Sequence, residues 1–251
     1  MATIAIGDIH GNLRALNDVL DRLRGEATSG DTVVFLGDYI DRGPDSKGCI
    51  DAVLNFRNNA DAEVVCLLGN HEDWFLRTLR DRSRHSWLLG MEAFETIRSY
   101  STEAEKILRD AQAEAGIGLY GGWHPLPYEA FFDSVPAEHI RFFEGLRLYH
   151  RTADCVCTHG GMDPRIADVE RQTHDALIWG GSTFPNGYDG ADLIVYGHRD
   201  TVTFNGDGWP APRIVGRTIG IGTISQGVLT ALRLPDRQLF QSARYDTKRR
   251  V

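Results

Sequence analysis

"VVFLGDYIDRGPDS" (33–46) runs from a β-branched apolar stretch straight into two aspartates, an arginine, a glycine and a proline. The first half has the composition of a buried strand, and the charge arrives where the chain should be turning toward its next helix. The same ending recurs. "TIAI" leads into Gly7-Asp8-Ile9-His10, "VVCLL" into Gly69-Asn70-His71-Glu72, "CVCT" into His159 and "LIVYG" into His198. Turn chemistry accounts for Gly-Asp after one strand or one histidine beside another. It does not require five strand ends of one composition in one order.

Between these strands the pattern is helical. "NLRALNDVLDRL" from Asn12 places Leu13, Leu16, Val19, Leu20 and Leu23 on one stripe, with Asn12 as N-cap, and "DSKGCIDAVLNFRNN" is a second helix capped by Asp45 or Ser46. "EVVCLL" and "EDWFLRTLRD" repeat the unit. Three strand–loop–helix units in series predict parallel strands with right-handed crossovers. From about residue 82 to 145 the chain turns helical and loop-rich, which predicts a helical cap insertion. The second half returns to short strands ("ADCVCTHGG", "DLIVYGH", "TVTFNG", "PRIVGRTIGIG", "GVLTALRLP") with glycine-rich turns, favouring a second, mixed or antiparallel sheet packed on the first. The expected fold class is α/β, two packed mixed β-sheets flanked by helices as an α-β-β-α sandwich, in a single domain spanning 1–251. The tail "TKRRV" (247–251) is expected to fray.

Composition narrows the function. The formal net charge of -8 gives no global field for nucleic acid, so an anionic substrate has to be met by local positive charge, from metal or arginine. No apolar run reaches the roughly 20 residues of a membrane span, and Met1 leads into a strand without a signal-peptide pattern, so no membrane partner and a cytoplasmic location are expected. Cys49, Cys66, Cys155 and Cys157 sit in apolar segments without a Cys-x-x-Cys pair and read as core thiols.

In open α/β sheets, ligands sit beyond the carboxyl ends of the strands. That edge would receive Asp8, His10, Asp38, Asn70, His159 and His198, hard or borderline donors suited to Mn, Fe or Zn. Six donors exceed one tetrahedral ion. Two ions sharing a carboxylate, roughly 3.5–4 Å apart as in sites that clamp a phosphoryl group, would use them all.

"GDIHG" (7–11), "GDYIDRG" (37–43), "GNHE" (69–72), "HGG" (159–161) and "GH" (197–198) resemble the signature of the phosphoprotein phosphatases, bacterial and phage lambda-type serine/threonine phosphatases among them, within the calcineurin-like metallophosphoesterases. Weaker likeness continues through "HSWLLGMEAFETIRSYS" (85–101), "ALIW" (176–179) and "GVLTALRLP" (227–235). The resemblance implies that Asp8 and His10 hold one divalent ion, that Asn70, His159 and His198 hold a second, and that Asp38 bridges them. Mn²⁺ is the first expectation, with Fe/Zn or Ni²⁺ tolerated. It further implies in-line attack on phosphorus by a metal-bridging hydroxide, His71 as general acid oriented by Asp41, and Arg42 as phosphate clamp.

One departure stands out. The family's second phosphate-binding arginine is missing after Trp179, where "GGSTFPNG" follows, and Arg199 is the preferred replacement over Arg165 or Arg171. The remaining histidines, His85, His124, His139, His150 and His174, read as surface or cap residues, with His124 a further candidate for the cleft wall. The helical-spaced aromatics pack the insertion, and Glu72 supports its neighbours. The function expected is hydrolysis of phosphoserine or phosphothreonine, phosphotyrosine included, in a phosphorylated protein or a small phosphoester. Symmetrical cleavage of a dinucleoside tetraphosphate and a metal-bound scaffold without activity are the alternatives. Oligomeric state is left open.

Overall fold

The computed structural model describes residues 1–121, 124–199 and 203–246. Three strands alternate with helices at the start: β1 (Thr3–Ile6), α1 (Leu13–Leu23), β2 (Thr32–Phe35), α2 (Ser46–Asn59), β3 (Glu63–Cys66) and α3 (Asn70–Arg80). Asn12 caps α1 by accepting the Ala15 N–H, and Asp45 caps α2 by accepting the Gly48 N–H at 2.8 Å. Five helices follow, α4 (Ser86–Gly90), α5 (Phe94–Tyr100), α6 (Thr102–Ala115), α7 (Glu129–Phe132) and α8 (Ala137–Glu144). They fill the stretch from 82 to 145 without a strand among the described residues. The chain then runs through β4 (Tyr149–Arg151), β5 (Val156–Thr158), α9 (His174–Trp179), β6 (Ile194–Tyr196), β7 (Thr203–Phe204), β8 (Pro210–Ala211), β9 (Arg213–Val215), β10 (Thr218–Gly220), β11 (Thr230–Leu234) and β12 (Gln238–Gln241).

The strands form two five-stranded mixed sheets, ordered β12-β11-β1-β2-β3 and β4-β5-β6-β10-β9. β1, β2 and β3 are parallel, as the repeated strand–helix unit requires, and so are β5 and β6. Alternation along each strand builds the layers. Ile4, Ile6, Val33 and Phe35 face the helical side with Leu16, Val19, Ile50 and Val53, whereas Ala5, Val34, Leu36 and Val65 meet Cys157, Val195 and Ile219 of the second sheet. On the far side of that sheet Val156, Ile194 and Tyr196 pack on Leu177 and Phe184. The result is the expected α-β-β-α layering. Each fully buried side chain of this kind contributes about 1.5–3 kcal/mol. All four cysteines are buried and free, with Cys155 and Cys157 between the sheets.

Three expectations need correction. "GVLTALRLP" is not part of the second sheet: β11 pairs antiparallel with β1, and β12 with β11, because the free edge of β1 leaves a row of backbone groups that a returning hairpin satisfies. The strand in "TVTFNG" contributes only Thr203–Phe204 to a two-stranded ribbon with β8; Thr201 and Val202 lie outside the described residues, as does the tail 247–251. His85 and His139, expected as surface or cap residues, lie in the insertion and are buried there instead of at the surface. His85 bonds the Tyr128 hydroxyl and the His124 carbonyl, and His139 bonds Tyr100 and Asp51, so both knit the insertion together or to α2. His124 itself is exposed.

The insertion is seated by rings. Phe75 of α3 lies 5.2 Å from Trp87, 5.4 Å from Phe132 and 4.6 Å from Phe143, centroid to centroid, and is fully buried. This cluster brings the start of the insertion against the loop after β2.

Candidate active site

All five strand-end segments meet at one edge of the sandwich, after β1, β2, β3, β5 and β6. The backbone there is forced into unusual shapes. Among the described residues seven non-glycine residues have positive φ, and five of them are His10, Asp38, Asp41, Arg42 and His198. Such conformations cost free energy and persist where surrounding structure dictates them, as at ligand-holding loops. Gly37 (φ +106°) and Gly69 allow the loops after β2 and β3 to touch: a Cβ on Gly37 would meet the Gly69 backbone, and one on Gly69 would strike Asp38.

Asp38 is the hub. One carboxylate oxygen is 3.4 Å from His10 Nε2 and 3.9 Å from His71 Nε2, while the other is 3.3 Å from His159 Nε2. Asn70 Oδ1 stands 3.0 Å from His159 Nε2 and 2.8 Å from His198 Nδ1. Asp8 accepts the His198 backbone N–H at 3.0 Å and lies 3.9 Å from His159 Nδ1. All six candidate ligands are thus brought together, and all but His198, which is partly exposed, are buried. Among the described residues two groups have their donor atoms all within 4.8 Å of one another, one of His10, Asp38 and His71, the other of Asp38, His159 and His198. Both contain Asp38. Asp8 belongs to neither group, although the family resemblance pairs it with His10.

The surroundings fit cations. His10 Nδ1 faces the Ile40 carbonyl at 3.1 Å and His159 Nδ1 the Leu36 carbonyl at 2.9 Å, so each ring turns its Nε2 inward. Burial holds His10 well below its usual pKa and, helped by His159, takes His198 down to about 3. Neutral imidazole is the form that ligates. Burial pushes Asp8 up to about 6 against the pull of His159, and against the cost of burial Asp38 is held well below the carboxylate range by His159 and His71. For His159, the neighbouring Asp38 outweighs burial and lifts the ring to about 9. Buried oxygens and nitrogens aimed at one another in this way are costly unless positive charge joins them.

A second constellation adjoins the first. His71 Nδ1 is 2.8 Å from Asp41 Oδ2, and His71 Nε2 is buried without a hydrogen-bond partner. Burial alone would lower His71, but Asp38 and Asp41 outweigh it and raise its pKa. Asp41 is gripped from the insertion: Trp87 Nε1 donates to Oδ2 at 3.0 Å, and Thr96 Oγ1 donates to Oδ1 at 2.5 Å while accepting the Asp41 N–H at 2.8 Å. Residue type alone marks neither role, since Trp87 has the look of a packing residue and Thr96 stands in no motif of its own. Only their place in the weakly similar stretch 85–101 marked them.

Glu72 does support its neighbours. Its carboxylate accepts the N–H groups of Asp38 (2.9 Å), Tyr39 (2.8 Å), Ile40 (3.2 Å) and Gly69 (3.2 Å), tying the loops after β2 and β3 together. Burial, with Asp38 adding to it, pushes Glu72 up to about 8. Arg42 is exposed and lays Nη1 3.0 Å from His10 Nε2, at the mouth of the site. Arg199 turns its guanidinium toward the carbonyls of Phe184, Trp179 and Gly181, at 3.3–3.5 Å, on the side of the loop after α9.

The chain is similar to several known proteins. A zinc-dependent endopolyphosphatase of Saccharomyces cerevisiae is 29% identical over 43% of this chain and 31% of its own length. An asymmetrical bis(5'-nucleosyl)-tetraphosphatase of Halalkalibacterium halodurans is 27% identical over 92% of this chain and 89% of its own. A solved structure provisionally identified as a diadenosine tetraphosphatase shares the fold with a TM-score of 0.62 at 19% identity, covering 98% of this chain and 94% of that one. The profile of the calcineurin-like phosphoesterases matches residues 1–199. With that match spanning most of the molecule and every strand-end motif converging on one edge, the chain belongs to the calcineurin-like phosphoesterase family.

Proposed function

We propose that this metal-dependent hydrolase is a phosphomonoesterase acting on phosphoserine and phosphothreonine, and on phosphotyrosine, through a dinuclear centre. Asp8 and His10 would hold one ion, Asn70, His159 and His198 the other, and Asp38 both, with Mn²⁺ the proposed occupant. Two bound cations would acidify solvent enough to supply a nucleophile near neutral pH and would offset the charge of the phosphoryl group. The whole chain, in this reading, is one domain with 82–145 as its cap, acting in the cytoplasm.

The observation that carries the reading is the His71–Asp41 pair at 2.8 Å with the far nitrogen of His71 unpartnered. Asp41 holds the Nδ1 proton, so Nε2 is the atom that delivers a proton to a departing oxygen. A serine or threonine alkoxide leaves poorly without one. Assistance of this kind is worth a factor of about 10²–10⁴. Arg42, with its planar fork at the mouth, suits two phosphoryl oxygens.

A second reading has its own support. The relative aligned over 92% of this chain is named for dinucleoside tetraphosphate cleavage. A nucleotide phosphate departs more readily than an alkoxide and gains less from the acid. The test is a side-by-side assay of Mn²⁺-loaded protein on phosphoserine peptides and diadenosine tetraphosphate. Preference for the peptide supports the first reading; efficient cleavage of the dinucleotide alone reverses it. Products of ATP and AMP would mark asymmetrical cleavage, and two ADP symmetrical cleavage. A metal-loaded protein inert on p-nitrophenyl phosphate and on both of these substrates would leave only a scaffold role.

A further inference from the structure

Beside the site, on the outer face of the second sheet, lies a cavity of about 500 Å³ whose walls include Ser182, Thr183, Asn186, Tyr196, Arg199 and Arg213. In a chain of net charge -8 it gathers two guanidiniums, and among the described residues neither is paired with a carboxylate. The three bonds of Arg199 to loop carbonyls are long, 3.3–3.5 Å; they aim the fork without neutralising it. Tyr196 is fully buried in the wall, with its hydroxyl against Thr218. Thr218 in turn donates to the Val215 carbonyl at 2.9 Å. Ser182 and Thr183, both exposed, add hydroxyl donors at the rim.

The cavity is directly linked to the candidate ligands. Tyr196 ends β6, and Gly197, His198 and Arg199 follow it, so one short segment presents His198 to the ligand cluster and Arg199 to the cavity. Trp179 joins the two as well: its ring stands edge-on to His198 at 5.3 Å while its carbonyl accepts from Arg199. We infer that this cavity is a second phosphate-binding subsite, in which Arg199 and Arg213 grip a phosphate group other than the one being cleaved. A planar guanidinium pair with hydroxyls around it is suited to phosphate oxygens. The phosphate is either a further phosphate of the same substrate or free inorganic phosphate.

This deepens the phosphoester reading, and its test is separable from it. Equilibrium dialysis of the metal-loaded wild-type protein against radiolabelled inorganic phosphate should count two phosphates per chain, and Arg213→Gln should weaken one of them about ten- to a hundredfold. Arg213→Lys, which keeps the charge, should retain much of it. A single phosphate per chain in the wild type, or two undiminished in Arg213→Gln, overturns the inference. The source is read from kcat/KM for diadenosine tetraphosphate relative to p-nitrophenyl phosphate. A ratio that falls in Arg213→Gln through KM assigns the subsite to the substrate's own distal phosphate; an unchanged ratio with the second phosphate lost assigns it to the free ion. Absence of p-nitrophenyl phosphatase activity would sink the phosphoester reading and leave the phosphate count standing by itself.

Discussion

Asp41 receives donors from Thr96, Trp87 and the His71 ring on two carboxylate oxygens, and it is fully buried. Each donor removes freedom from the side chain that orients the proposed acid. His71→Asn should therefore depress turnover of phosphoserine peptide by about 10²–10⁴ while slowing p-nitrophenyl phosphate far less, since a phenolate leaves without a proton; equal losses would contradict the acid role. Thr96→Val keeps the shape and deletes the bonds, and Trp87→Phe keeps an aromatic ring while deleting the Nε1 donor. Each should lower peptide turnover by about tenfold, in the range seen when outer partners of a site histidine are removed. The same peptide-to-aryl rate ratio separates positioning from general damage, because a merely weakened fold would slow both substrates alike.

At the scale of elements, the site depends on a splice between two strand–helix loops. Glu72 at the start of α3 gathers backbone donors from the loop after β2, so the candidate ligand Asp38 is placed by a residue of the next unit. Glu72→Ala would strand buried N–H groups at about 1–3 kcal/mol each. A total of about 3 kcal/mol corresponds to a fall in Tm of about 6–12 °C in a protein of this size. Metal content measured on the purified variant should fall with it; a variant of unchanged Tm that keeps its metal would show that the splice is dispensable. Glu72→Gln, retaining one acceptor oxygen, should lose less.

For the molecule as a whole, stability and metal are linked, since ions bound only by the folded state raise Tm with their concentration. Chelation should lower Tm, and the deficit should widen with pH. Glu72, raised from 4.5 to about 8 by burial and Asp38, and His159, raised from 6.5 to about 9 where Asp38 outweighs burial, both have folded pKa values above their unfolded ones. Their contributions to stability are complete below the unfolded values and are lost as pH rises through the folded ones. His10 and His198 are depressed and act below pH 6.5, outside this window. Chelated protein should thus lose Tm steadily between about pH 7 and 9, and metal-loaded protein much less. Parallel curves for the two forms would contradict the placement of the cations among these groups.

The strand-end residues were legible because strand–loop–helix periodicity leaves few places for a loop to go: once the three β-rich runs are parallel, Asp8, His10, Asp38 and Asn70 share an edge. Asn12 as a cap, Asp45 as one of two candidate caps, and the cysteines as core followed from local rules of the same kind. What depended on distance along the chain was not legible. The hold of Thr96 and Trp87 on Asp41 spans 55 and 46 residues, the return of β11 to the edge of β1 pairs Thr3–Ile6 with the strand Thr230–Leu234, and the burial of His85 and His139 goes with partners 39 to 88 residues away. The inward nitrogens of His10 and His159 and the outward turn of Arg199 were likewise fixed by carbonyls that only the assembled loops supply. Sequence determines which groups are delivered to an edge, because that is set by periodicity and chirality; which atom each presents, and who holds it there, is decided by tertiary packing, because those partners meet only when the chain has closed on itself.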